Sequence, residues 1–400
     1  MHLTGLTLDQ FRSYGHLDLS LPPGLTLVSG ANASGKSNLL EAIYTLAATR
    51  SPRTSIEGEL LAWDAPHPPV LRIAGTAARS DGPVTVEIAL SARTDAAGAV
   101  RLSKSGAPLT SKRIRLNGVP RRATDAIGQI AAVLFTTLDI EIITGSPSAR
   151  RRYLDLTISQ YDRAYARALS RLDRALSQRN ALLKRIAARE AAPGELEPWD
   201  ETLAAEGAAI VAARADAVQA LTQGAAERHR CLTASDPQAT TALNLVYEPA
   251  LGKSGLPDLP SAAAIEERLR SSMLALRPRE IGAGATLVGP HRDDLAIRLD
   301  HRAAAAYASR AQQRSIALAL RLAEADLLSA RNGEPPILLL DDILSELDPA
   351  RRAATARSLG DSQQVILTTA DTAAVPAELP APAAGFRVLD NQLVPAKDGA

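Results

Sequence analysis

The chain has 400 residues, 46% hydrophobic and 22% charged, so it is long enough to bury a core in one large domain or two to three ordinary ones, and disorder is not the default expectation. Its 45 basic and 44 acidic residues leave a formal net charge of +1, which gives no global pull toward a polyanion, so any nucleic-acid affinity must be local. The single cysteine, Cys231, excludes an internal disulfide and a paired-cysteine metal hook, and aromatics at 3% leave the core to Leu, Ile, Val and Ala.

The opening MHLTGLTLDQFRSYG lacks a basic stretch followed by an apolar one, and no run of roughly 18 apolar residues occurs. Neither export nor a membrane span is expected, and the lone thiol fits a reducing cytoplasm. Alternation at Leu17, Leu19 and Leu21 and the run LTLV at 25–28 predict strands, the second leading into a glycine-rich loop with a helix from near Gly35. Period-two segments return at 84–90 (Val84, Val86, Ile88, Leu90) and around Ile114 and Leu116, beside the turn-rich SDGP and DAAG.

From about residue 150 the apolar positions Ile158, Tyr161, Tyr165, Leu169, Leu172, Leu176, Leu183 and Ile186 fall at helical steps and predict one long helix, broken by AAPGELEP at 191–198. Helices are also expected over about 199–230 and 261–276, packed as a hairpin that is either a small bundle or a projecting arm. Strand signals resume at TLVG (286–289), at Leu295, Ile297 and Leu299, at ILLL (337–340) and at VILTT (365–369). After a loop over AAVPAELPAPAAG, FRVLDNQLV (386–394) predicts a closing hairpin with its turn at Asp390-Asn391.

GANASGKS (30–37) fits the phosphate-loop pattern in its proper context, after a strand and before a helix. Gly30 and Gly35 let the backbone of Ala31, Asn32, Ala33 and Ser34 curl so that N–H groups face phosphates. Lys36 then sits between the β- and γ-phosphates, and Ser37 is the candidate Mg2+ ligand at the positive end of the helix. ILLLDD (337–342) is a hydrophobic strand started by Pro335-Pro336 and ending in two carboxylates, which a buried strand end does not carry without a cation nearby. Asp341 is expected to hold Mg2+ and Asp342 to orient the attacking water. About 300 residues separate Lys36 from this pair, so the site assembles only if the two ends of the chain meet.

Two flanking segments have a bland and a sharp reading each. Ser309 and Gln312 in YASRAQQRS (307–315) form a capping box, or else a helix start that faces a nucleotide held by a second molecule. SELD (345–348), with Asp348 as cap and Pro349 as first helical residue, ends one helix boundary or else crosses a dimer interface.

Taken together, the phosphate loop, the helical insertion, the S-x-x-Q start, the double carboxylate and S-x-L-D resemble the ATP-binding-cassette ATPase heads of the SMC class. With FRSY (11–14), LFTTLDIEIITGSPSARRRYLD (134–155) and VGPHRDD (288–294), the chain more closely resembles the RecF family of bacterial recombination mediators, over essentially its whole length. The resemblance implies an α/β fold, an ABC/SMC-type P-loop ATPase head with an inserted helical arm: residues 1–149 and 286–400 form the head and 150–285 the arm. It implies an ATP- and Mg2+-dependent homodimer on double-stranded DNA near single-strand/duplex junctions, weakly active as a DNA-dependent ATPase. Recombinase loading with RecR and RecO as partners is the implied role. It also adds Arg12, Ser309 and Gln312 to the nucleotide contacts. Ala311 departs from the glycine of the family's S-x-G-Q, Asp342 replaces the usual Glu, and Thr368-Thr369 stand where transporter heads place a switch histidine.

Local basic clusters supply the DNA candidates Lys104, Lys112, Arg113, Arg115, Arg121 and Arg122, with Arg50, Arg53 and Arg150 to Arg152 as further clusters. No base-reading motif is found, so contact with duplex backbone irrespective of sequence is expected. The competing expectations are a transporter ATPase subunit or another SMC-like clamp, a helicase, and an idle ATP sensor.

Overall fold

The computed structural model describes residues 1–234, 242–252, 261–359, 362–372, 375–389 and 391–396. It divides into two compact units, one of Met1–Asp139, Arg228–Ala239 and Leu318–Ala400, the other of Ile140–Glu227 and Thr240–Ala317.

The first unit holds two six-stranded sheets. The antiparallel sheet runs in the order Tyr14–Ser20, His2–Phe11, Val70–Ala78, Val84–Ala92, Thr110–Leu116, Val119–Arg121. Its strands alternate as half-buried strands must: Val84, Val86, Ile88 and Leu90 face inward with Ile114. The other sheet is built from Gln392–Pro395, Ala384–Leu389, Gly24–Ser29, Gln364–Thr369, Ile337–Asp341 and Ala132–Phe135, all parallel except for the closing Gln392–Pro395. ILLL is buried at every position, as expected of a parallel strand covered on both faces.

The helix Lys36–Ala48 packs against strands of both sheets and is buried nearly all round, which its Leu39, Leu40, Ala42, Ile43, Leu46 and Ala47 permit. Gly75 is where the antiparallel sheet approaches this helix, and a Cβ there would lie 2.5 Å from Leu46 Cδ1. Gln364, fully buried, joins the sheets: its amide N–H groups donate to Leu3 O and Pro22 O at 2.9 Å and its Oε1 accepts Leu3 N–H at 2.8 Å. The predicted closing hairpin pairs Ala384–Leu389 with Gln392–Pro395, and of its predicted turn Asp390 lies outside the described residues.

The second unit is helical, with Pro147–Ser159, Arg163–Ala187, most of Glu197–Thr233 and Ala262–Ala283, plus a three-stranded sheet of Arg302–Ala303, Asp294–Leu299 and Leu243–Glu248. The single helix expected through 158–186 is two helices, because Asp162 takes a non-helical conformation and caps the second by accepting Tyr165 N–H at 2.9 Å. TLVG is not a strand. Its backbone is satisfied by side chains instead, Thr286 N–H by Asn180 Oδ1 at 2.8 Å and Leu287 N–H by Glu280 Oε1 at 2.7 Å. Leu295, Ile297 and Leu299 pair with Tyr247, Leu245 and Leu243, a strand not foreseen. The units are accordingly drawn at 139/140 and 317/318, where 149/150 and 285/286 were expected.

Two buried arginines organise the second unit. Arg179, 0% exposed, donates to Asp200 at 2.6 Å, Glu280 at 2.7 Å and Thr286 Oγ1 at 2.9 Å. Arg214, 2% exposed, donates to Asp155 at 2.8 Å, Asp293 at 3.0 Å and Pro290 O at 2.7 Å. The hydroxyls of Tyr165 and Tyr247 donate to Asp155 and Asp293, and burial first, then those carboxylates, pushes both phenols well above their ordinary range. VGPHRDD thus has a structural use, since Asp293 is fully buried and Asp294 is paired with Arg150 at 2.7 Å. Among the described residues no helix is long and apolar enough to cross a membrane.

Candidate nucleotide site

The strand Gly24–Ser29 delivers the chain into the loop 30–35, and the helix Lys36–Ala48 leaves it. Gly30 is required by crowding, because a Cβ there would stand 2.9 Å from Ser34 Oγ and 3.1 Å from Val388 O. Gly35 is required twice over, by φ +109° and by Ser13 Oγ and Tyr14 Oη at 2.9 and 3.2 Å from its would-be Cβ. Ala31, Asn32 and Ala33 are exposed, Ala33 with φ 63°. The helix begins with no side-chain cap and no acid in its first turn, so its leading N–H groups and positive end are left for an anion. Ser34 Oγ is buried without a hydrogen-bond partner.

Lys36 is 6% exposed and curls back over the loop, its Nζ donating to Gly30 O at 2.7 Å and Ala31 O at 2.8 Å. Ser37 Oγ donates to Asp341 Oδ1 at 2.8 Å, so the two candidate Mg2+ ligands touch. The register explains how they meet: Gly24–Ser29 pairs with Gln364–Thr369, which pairs with Ile337–Asp341, bringing Asp341 opposite Thr368. Thr368 Oγ1 donates to the same Asp341 oxygen at 2.9 Å. Thr368 therefore belongs to the site through Asp341, a role that only the strand pairing discloses.

Asp342 turns the chain away with φ 52° and ψ 24°, a left-handed conformation that a non-glycine residue holds at some cost. Its N–H donates to Thr368 O and Oγ1, both at 3.2 Å, and its carboxylate makes no hydrogen bond or ion pair among the described residues.

Arg12 lies behind the loop. Its Nε and Nη2 donate to Glu41 at 3.1 and 2.9 Å and its Nη1 to Glu59 O at 2.8 Å, so the fork anchors a carboxylate that is itself 1% exposed on the loop's helix. Ser309 and Gln312 belong to the second unit, the loop to the first. They form the capping box in full, Gln312 N–H to Ser309 Oγ at 3.2 Å and Ser309 N–H to Gln312 Oε1 at 2.8 Å, with Arg310 and Ala311 exposed beside them. Asp348 caps the helix Pro349–Leu359, and the Arg351 N–H at 3.0 Å holds its carboxyl below the usual range.

The DNA candidates separate by which way their strands face. Lys112 is opposite Leu90 on the core side, and its ammonium is bound by Thr49 O and by Glu57 at 2.6 Å, which corrects its expected availability to a phosphate. Arg115 is opposite Glu87 and 3.6 Å from it. Lys104, Arg113, Arg121 and Arg122 are exposed with no acidic partner among the described residues. Arg93 and Arg101, unnoticed in the sequence, share that state. The signal was available: residues 88–124 hold eight Lys and Arg against Asp95 alone, a net +7 in a chain whose total is +1.

A phosphate loop beside a parallel strand from the far end of the sequence, with a helix-and-strand unit inserted between the two in chain order, defines a head of the ATP-binding-cassette class. Residues 2–378 match the family described as RecF/RecN/SMC N terminal domain. The DNA replication and repair protein RecF of Herpetosiphon aurantiacus is 43% identical over 92% of this chain and 93% of its own length. That of Roseiflexus castenholzii is 40% identical over 99% and 100%. A solved structure of the recombination mediator protein RecF with ATP, in the RecFOR pathway, superposes with a TM-score of 0.84 at 29% identity over 99% of this chain and 98% of that one. An SMC head bound to the C-winged helix domain of ScpA gives 0.53 at 17% identity, a likeness of fold. The chain belongs to the RecF family of DNA replication and repair proteins.

Proposed function

We propose that the chain binds ATP with Mg2+ on residues 30–37, pairs with a second copy while the triphosphate is intact, holds double-stranded DNA in that state, and hydrolyses ATP slowly to let go. The observation that carries the reading is the Ser37–Asp341 contact of 2.8 Å, which joins the loop to the carboxylate strand. One hydroxyl and one carboxylate suit Mg2+, which keeps waters and takes its remaining ligands from phosphate. Among the described residues no group of three or more His, Cys, Asp or Glu could hold a metal unaided. The orphaned Ser34 Oγ and the uncapped helix start fit phosphate oxygens in the same way.

In this reading Lys36 moves from the carbonyls of Gly30 and Ala31 to the phosphates, which replace two neutral dipoles with full charges. Mg2+ supplies charge neutralisation and Lewis acidity at the phosphates. Thr368 fixes the Asp341 oxygen, and the unpartnered Asp342 carboxylate orients water. Arg12 reaches the nucleotide with the N–H groups that Glu41 and Glu59 leave over. Ser309 and Gln312 contribute from the second copy, and Lys104, Arg113, Arg115, Arg121 and Arg122 contact DNA backbone. Action in the cytoplasm near single-strand/duplex junctions at DNA gaps, with RecR and RecO and toward recombinase loading, follows the family.

The nucleotide matters because it is bound better by the closed pair than by the open copies, and hydrolysis removes that difference. Lys36→Arg is expected to abolish nucleotide-dependent pairing, since a planar fork does not fit a 6%-exposed slot shaped for one ammonium. Asp342→Asn should accumulate the dimer with unhydrolysed ATP. Light scattering of both variants and the unaltered chain, with and without ATP, decides the matter; identical masses throughout defeat the switch.

A further inference from the structure

The parallel sheet of the first unit has a cavity at the end away from the nucleotide loop. Loop 30–35 leaves the C-terminal end of Gly24–Ser29, whereas the cavity opens where the parallel strands Ile337–Asp341 and Gln364–Thr369 begin, beside Pro335, Pro336 and Ser362. A strand of six residues is about 20 Å long, so the two places lie about that far apart. Three helices wall the cavity: the last turns of Glu197–Thr233, the C-terminal half of Arg310–Asn332, and Pro349–Leu359. Every residue that they contribute falls in the first unit.

The space, about 450 Å³, follows from the residues that face it. Arg310–Asn332 presents Ala325 and Ser329, four apart and so on one face, and Pro349–Leu359 presents Ala354 and Ser358 at the same spacing. Side chains this short leave open a gap of the kind that protein interiors ordinarily close-pack. The buried Leu322, Pro336 and Leu338 give it an apolar floor. Its rim is polar. Arg228 donates to Asp326 at 2.8 and 2.6 Å, a pair that ties the first helix to the second. Arg357 is exposed with no acidic partner among the described residues, and the hydroxyls of Ser329 and Ser362 make no hydrogen bond among them.

We propose that this cavity is a binding site for a small organic oxyanion, a phosphate or carboxylate on a ring-sized apolar body, with the anion at Arg357 and the body on Leu322, Pro336 and Leu338. Its volume falls within the roughly 300–1,000 Å³ of small-molecule sites. The groups left unspent can all donate: a guanidinium fork, whose geometry matches either oxyanion, and two hydroxyls. The carboxylate on the wall is already held by Arg228, so a cationic ligand would have to break that pair and an anionic one would not. A bare ion would leave the apolar floor in water, whereas an apolar body covers it. The cavity shares no residue with 30–37, Asp341 or Asp342, so it stands apart from the ATP reading above. It also lies at the opposite end of the strands from the crevice in which open α/β sheets hold nucleotides.

The chain carries its own reporter, because its single cysteine, Cys231, is exposed on the cavity wall. Alkylation of that thiol by iodoacetamide, a neutral reagent, can be followed by intact mass. Ligands of about ten non-hydrogen atoms bind at about millimolar concentration, so phenyl phosphate or benzoate at ~10 mM is expected to slow alkylation about tenfold. Whichever acts at the lower concentration identifies the oxyanion. Inorganic phosphate lacks the body and benzyl alcohol lacks the charge, so each should slow the reaction less than about twofold at the same concentration. Arg357 is exposed, so Arg357→Gln should fold as the unaltered chain does, keep the unprotected rate, and lose the protection. Three results would each overturn the inference: no slowing by either probe, equal slowing by inorganic phosphate or benzyl alcohol, and full protection that survives in Arg357→Gln.

Discussion

In the second unit Arg179 and Arg214, 0% and 2% exposed, are each held by two carboxylates, whereas in the first unit Arg93, Arg101, Arg113, Arg121 and Arg122 stand in solvent with no acidic partner among the described residues. A guanidinium taken out of water must be matched locally, and once matched it fixes the helices that supply its partners. One left in water is neither stabilising nor constrained, and remains available to a phosphate. The same residue type therefore builds the fold where it is taken out of water, as Arg321 does again in the first unit between Asp139 and Glu324 at 2.7 Å, and is open to the recognition proposed above where it is left in water; burial tells the two apart.

The strongest way to break this contrast is Arg179→Met. It leaves Glu280 without its cation in a fully buried position, so urea denaturation should show a loss of about 3–5 kcal/mol, with ATP and DNA binding per folded molecule unchanged. A loss of less than about 1 kcal/mol would mean that the network is not what holds these helices.

On the other side of the contrast, Arg113→Gln, Arg121→Gln and Arg122→Gln together should leave stability within about 0.5 kcal/mol. The same triple variant should flatten the log–log salt dependence of duplex affinity by about 3. Adding Lys112→Gln should change that slope no further, since Lys112 is already bound to Glu57 and Thr49 O.

The smallest effect concerns His291. Burial lowers its pKa from 6.5 to about 4. The unfolded chain then takes up a proton near pH 6.5 that the folded chain refuses until about pH 4, so stability is full above that window and falls as pH drops through it. Unfolding curves across these pH values should show the decline, and His291→Gln should remove that part of it.

Much of the first unit could be read from residues alone, because period-two alternation at 84–90 and the apolar run at 337–340 are local signals. The loop, its lysine and the carboxylate pair were legible for the same reason. Pairing was not: Thr368 joins the site, and Leu243–Glu248 captures Asp294–Leu299, through contacts between residues far apart in sequence. Lys112 was misjudged because charge counting ignores which face of a strand a residue occupies. The break at Asp162 was missed because the apolar spacing runs straight through it, while the cap that ends the register is a single side chain.

The strand Gly24–Ser29 lies between Gln364–Thr369 and Ala384–Leu389, so its two neighbours begin 340 and 360 residues after it does. At about 5–20 residues per second on the ribosome, the P-loop strand emerges with both edges bare for on the order of half a minute. A nascent chain in that interval carries the complete GANASGKS motif yet no Asp341 beside it, so the contact between Ser37 and the carboxylate strand forms only after the later strands have been made. The same interval exposes a strand edge that chaperones would have to shield.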